Sequence, residues 1–140
     1  MFFQKNDSKS DDFSKVAALL IHAARIDENY SIKEEKIIEE ALLKIGANNQ
    51  NLKEIMNNGK KIEENSNQIL DFTREVKNME EENKIKIIET LWRIIYSNND
   101  ADIYEANLMR RLTGLLYIDS KLMGNIKEKI KKQIQNDLYS

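Results

Sequence analysis

Apolar residues recur at spacings of three and four along nearly the whole chain, and no segment alternates apolar and polar positions long enough to propose a strand. Residues 1–10, polar after Phe2 and Phe3, read as a flexible lead-in. From Asp12 to Ile26 the residues Phe13, Val16, Ala17, Leu20 and Ala24 form one stripe, which Leu19, Ile21 and Ala23 widen, so this helix is expected at the centre of the fold. A second helix follows Ser31, where Ser31 and Glu34 have capping-box spacing and Ile37, Ile38, Ala41, Leu42 and Ile45 supply a buried face. Gly46 is placed to end it in a left-handed turn.

Further on, Leu52, Ile55 and Met56 predict a short helix over Asn51–Asn58, with Gly59 as a stop or kink and a weak helix over Lys60–Asn65. Ile69, Phe72, Thr73 and Val76 mark another over Gln68–Met79. Glu80, Glu81 and Glu82 put negative charge at the start of the next, where the helix dipole favours it, and Ile85, Ile88, Leu91, Trp92 and Ile95 carry that helix to about Ser97. Asp102 and Glu105 repeat the capping-box spacing ahead of Leu108, Met109, Leu112, Leu115 and Leu116. A last helix from Asp119 or Ser120 has Leu122, Ile126, Ile130, Ile134 and Leu138 at strict fours, a stripe that drifts round its surface, with Lys121, Lys127, Lys129, Lys131 and Lys132 giving a basic outer side. The expected fold is all-α: one domain over residues 11–140, a bundle of about seven helices.

One arrangement occurs twice, 71 positions apart: Asp27, Asn29, Ser31 and Glu34, then Asn98, Asp100, Asp102 and Glu105. Each copy lies between two apolar-periodic stretches that also align, which predicts a duplicated helix-loop-helix unit. Oxygen-bearing side chains at the first, third and fifth places of a short loop can converge on one hard cation. An ordinary EF-hand is excluded, because its sixth-place glycine is replaced by Ile32 and Ile103 and its twelfth-place glutamate by Ile38 and Met109. Two readings stay open. Capping and turn chemistry account for Ser31 with Glu34 and for Asp102 with Glu105; a divalent-cation site would use all eight residues, with calcium favoured over magnesium where most ligands come from protein.

Composition narrows the function more than it names it. Twenty-two basic and 24 acidic residues give a net charge of -2, mixed along the chain, so no overall field draws it to nucleic acid or anionic lipid. Without cysteine there is neither a disulfide framework nor a thiolate zinc site. No apolar run is long enough to span a bilayer, and the start lacks a signal-peptide pattern, so the expectation is a cytoplasmic protein without membrane insertion. His22 is the only histidine and its counterpart 71 residues on is Arg93, which removes repeated His ligands and di-iron motifs and leaves no visible catalytic constellation. Four scattered glycines exclude phosphate-cradling loops. Trp92 is expected in the core, and Arg110 and Arg111 at the surface.

The segments Ala24-Arg25-x-Asp27, Ser31-x-x-Glu34-Glu35, Leu91-Trp92-Arg93, Asp102-x-Tyr104-Glu105 and Leu108-x-Arg110-Arg111-Leu112 together resemble the TerB-like (tellurite resistance protein B) domain, over roughly Val16 to Ile118. In that family Asp27 and Glu34 match the first loop, and Asp102 and Glu105 the second. Asn98 stands where aspartate is usual, Glu28 and Asn99 where glycine is usual, and Ser31 where an acidic residue is usual. The resemblance implies an all-helical duplicated domain, non-enzymatic and cytoplasmic, associated with membrane-linked stress-response complexes at the inner face of the membrane, with acidic loop residues proposed to bind metal. Tellurite itself is an anion that such loops would repel. Other proteins are the expected partners, and the competing expectation is a metal-free interaction scaffold working through an exposed apolar or basic surface, with either a contiguous apolar patch above roughly 400 Å² or a dimer that calcium does not affect.

Overall fold

The computed structural model describes residues 2–26, 31–66, 69–97 and 103–139, the side chains of 2–11, 103–105, 138 and 139 excepted. These residues form α1 (Phe2–Ala24), α2 (Ile32–Lys44), α3 (Leu52–Asn65), α4 (Leu70–Lys77), α5 (Glu81–Tyr96), α6 (Ile103–Leu115) and α7 (Ser120–Tyr139). Among the described residues there is no strand.

The C-terminal half of α1 and most of α5 are enclosed by other helices and act as the axis of the bundle. In α1 every residue from Val16 to Ile21 is fully buried, and in α5 Ile87, Ile88, Leu91, Trp92, Ile94 and Ile95 are buried. A helix apolar all round must be enclosed by others. Accordingly α1 packs against α2, α3, α4 and α5, while α5 packs against α1, α2, α4 and α7. The outer helices contribute single faces: Ile38 and Leu42 from α2, Ile55 and Met56 from α3, Phe72 and Val76 from α4, Met109 and Leu112 from α6. On α7 the drift of the fourfold stripe is visible, since Ile126 and Ile130 are buried whereas Leu122 and Ile134 are only partly so.

Two expectations are corrected. The first helix begins at Phe2 rather than near Asp12. No proline or glycine interrupts residues 2–12, and a polar run of Gln, Lys, Asn, Asp and Ser is tolerated as a helical extension once a buried segment has nucleated the helix. Gly59 does not stop a helix: α3 runs continuously through it. Its place is the crossing with α1, where an added Cβ would lie 2.7 Å from the Ala17 Cβ and 3.1 Å from the Ser14 carbonyl oxygen. The missing side chain is what lets the two backbones approach.

The ends of α2 and α6 use the same closure. Gly46 donates to the Leu43 carbonyl and Ala47 to that of Leu42, at 3.2 and 3.0 Å; Tyr117 donates to Gly114 and Ile118 to Thr113, at 3.3 and 3.1 Å. Both are Schellman motifs, which place one residue in the left-handed region. Gly46 takes it at φ 120°, but Tyr117 takes it at φ 55°. A residue with a Cβ pays about 1–2 kcal/mol for that conformation. On the other side of the α6 terminus, the buried Lys84 ammonium donates to the Leu116 carbonyl at 3.2 Å, a cation set against the negative end of the helix dipole.

Candidate functional site

Of the eight loop residues that the sequence singles out, Ser31 and Glu34 have described side chains. Asp27, Asn29, Asn98, Asp100, Asp102 and the side chain of Glu105 lie outside the described residues. The helices that frame them correspond: α2 and α6 are both 13 residues long, and their bounds differ by the same 71 positions, 32 to 103 and 44 to 115.

Ser31 is the N-cap of α2, with extended backbone at φ -101° and ψ 164°. The Glu34 amide donates to Ser31 Oγ at 3.1 Å, and Glu34 Oε1 accepts from the Ser31 amide at 3.1 Å and from Ser31 Oγ at 3.0 Å. This is the capping box expected from the spacing. The Ser31 hydroxyl therefore both accepts and donates within the cap. Glu34 is 0% exposed. Next to it, Glu35 accepts from Lys60 at 2.9 Å, which ties the first turn of α2 to α3. Ser31→Ala should destabilise the fold by about 1 kcal/mol, the usual worth of a cap, read as a lower urea midpoint at unchanged slope; no change would show that the cap contributes nothing.

Just before the first loop, Arg25 pairs with Glu63 at 2.6 Å and with Glu64 at 3.6 Å, and His22 Nδ1 lies 3.5 Å from the other Glu63 oxygen. His22 is half-buried, with its ring 6.0 Å from that of Phe72. It belongs to an α1–α3 polar bridge. Among the described residues no group of three or more His, Cys, Asp or Glu side chains is placed to hold a metal ion.

Two cavities were not legible in the sequence. A groove runs along α5: one part, of about 240 Å³, lies between α2 and α5 and is lined by Glu40, Lys44, Lys86 and Glu89, and another, of about 350 Å³, also reaches α7 and is lined by Lys33, Tyr96, Ser97, Ile134 and Asp137, with Ile37 and Arg93 shared by both. Its polar groups are largely engaged. Glu89 accepts from Lys129 at 2.9 Å, and Arg93 donates to Gln133 at 2.9 Å. Burial, and secondarily the charge of Glu128, push the Tyr96 phenol above its ordinary pKa. The second cavity lies between α4 and the C-terminal end of α6. Each is assembled from separate helices, so only tertiary structure reveals it.

A family model described as Tellurite resistance protein TerB matches residues 13–128. The chain belongs to the TerB family. The matched span reaches from the start of the buried part of α1 into α7, so it takes in both candidate loops and both central helices of this TerB chain. No curated protein and no solved structure matches it. Among the described residues no helix of this TerB chain is long and apolar enough to cross a membrane.

Proposed function

We propose that this TerB chain is a non-enzymatic binding module whose two acidic loops hold one divalent cation, calcium in preference to magnesium, within a stress-response complex at the inner face of a membrane. The observation that carries the reading is the complete burial of Glu34 at the head of α2, immediately after the first loop. Keeping a carboxylate charged away from water is costly, and neutral hydroxyl and amide donors offset that cost less well than a cation does. Carboxylate and amide oxygens are the hard donors that calcium prefers. Asp27, Asn29 and Glu34 would serve from the first copy and Asn98, Asp100, Asp102 and Glu105 from the second, while Ser31 keeps its capping role. The equal offset of α2 and α6 supports reading the two copies as one duplicated unit.

The test is a thermal melt at millimolar calcium and manganese. Binding to the folded state alone stabilises by about 2.7 kcal/mol when the ion stands at 100 times its dissociation constant. For a domain of this size that raises the midpoint by roughly 8–10 °C. An Asp27→Ala/Asp102→Ala chain should lose the shift. A midpoint indifferent to both ions, or an equal shift in the double variant, would leave the metal-free scaffold.

A further inference from the structure

Independently of the cation reading, we infer that the cavity between α4 and α6 is a binding site for an organic phosphate. The cavity, of about 270 Å³, is lined by Leu70, Thr73, Arg74 and Lys77 of α4 together with Gly114, Leu115 and Tyr117. Its lining holds two cations and no carboxylate, in a chain whose net charge is -2. The acidic residues of α4 are committed elsewhere: Asp71 accepts from the Ser66 hydroxyl, and Glu75 pairs with Lys15 at 3.2 Å. Arg110 and Arg111 are exposed one turn before Gly114 and Leu115, so they extend the positive field along the same helix.

Basic residues in the last turn of α4 also complement its dipole, which accounts for Arg74 and Lys77. It does not account for Tyr117. At the corresponding end of α2 the chain uses glycine, whereas here an aromatic residue occupies the left-handed position and is 73% exposed. The Lys77 ammonium sits 4.2 Å from the centre of that ring. An exposed aromatic ring held in that conformation at the edge of a cavity, with a cation over its face, is surface that a ligand can use. Gly114 is also on the lining, and a Cβ added there would meet nothing within 4 Å.

The chemistry of the lining sets the ligand. An arginine presents parallel donors to two phosphate oxygens, and a lysine beside it adds a second positive charge, a pair suited to a dianion. At the end of α6 the carbonyls of Thr113 and Gly114 accept from the Schellman closure and that of Leu116 accepts from Lys84, which reduces the number of free acceptors near the cavity. Leu70, Leu115 and the Tyr117 ring offer apolar surface for whatever carries the phosphate, whether a soluble phosphomonoester or a lipid headgroup.

Amide NMR titration of the full chain with phenyl phosphate and with inorganic phosphate, alongside co-sedimentation with vesicles of phosphatidylcholine alone or containing phosphatidic acid, tests the assignment. Phenyl phosphate should shift the amides of residues 70–77 and 114–117 and bind at least about tenfold more tightly than inorganic phosphate, since only it can use the ring surface. Retention on phosphatidic acid vesicles with no response to phenyl phosphate would support the site and assign the phosphate to lipid. Arg74→Gln/Lys77→Gln and Gly114→Leu should each weaken whichever ligand binds by about tenfold or more. Tyr117→Gly should weaken it too while raising the melting temperature, a combination that a purely structural tyrosine would not give. No binding of either ligand at millimolar concentration, or binding undiminished in the variants, overturns the proposal.

Discussion

Gly59→Val should cost about 3 kcal/mol or more, the upper range for forcing extra atoms into a packed interior, and Gly59→Ala should already be destabilising. In an exposed helix the alanine change would stabilise by about 1 kcal/mol through helix propensity. Here the first added carbon would lie 2.7 Å from the Ala17 Cβ, 3.1 Å from the Ser14 carbonyl oxygen and 3.2 Å from the Ala18 amide nitrogen. Two of those three neighbours are backbone, so no rotamer change relieves the contact and α3 must move off α1. That pair is the most extensive helix contact in the bundle, which makes the displacement expensive. Gly124→Ala is the matched control: nothing lies within 4 Å of its added Cβ, so it should stabilise. Urea midpoints of the variants against the parent decide the matter, and a Gly59→Ala chain as stable as Gly124→Ala would show that the α1–α3 approach is not tight.

The same glycine marks where sequence reasoning stops. Periodicity located the buried stretch of each described helix, though it divided α3 in two at Gly59, because burial of one face is written in the spacing of Leu and Ile; the Ser31–Glu34 capping box was legible because both partners lie within one turn. Gly59 reads locally as a breaker, and only the position of α1 shows that it is a contact point. Likewise residues 2–11 carry no apolar stripe, so nothing local distinguishes a polar helical extension from a coil. The loop residues were found by internal comparison at a 71-residue offset, a signal that does not depend on folding. The cavity beside Tyr117 could not be found that way: a tyrosine in a left-handed cap has no sequence signature, and Arg74 and Arg111 are far apart in the chain. Gly46 and Tyr117 are themselves 71 positions apart, but a tyrosine facing a glycine at that offset does not by itself reveal a left-handed cap or a cavity.

Phe72→Ala should cost about 3–5 kcal/mol, the range for deleting a buried aromatic ring. That is a large share of the roughly 5–15 kcal/mol by which a domain of this kind is stable. Phe72 is 1% exposed and is among the largest fully buried side chains. It sits on α4, which has only eight residues and is too short to persist without tertiary support. Phe72, Thr73 and Val76 are its buried residues, with Ile69 buried just before it, and α4 packs on α1 and α5. Among the described residues, α4 is also the main helical neighbour of α6. Loss of the ring should therefore loosen α4 first and α6 with it, so amide exchange in α4 and α6 should accelerate before that of α1 and α5 does. Phe72→Leu, which keeps most of the volume, should cost less than about 1.5 kcal/mol and leave exchange in α6 near the parent's. Uniform acceleration across all helices in Phe72→Ala would mean instead that α4 has no independence from the central pair and that the bundle opens only as a whole.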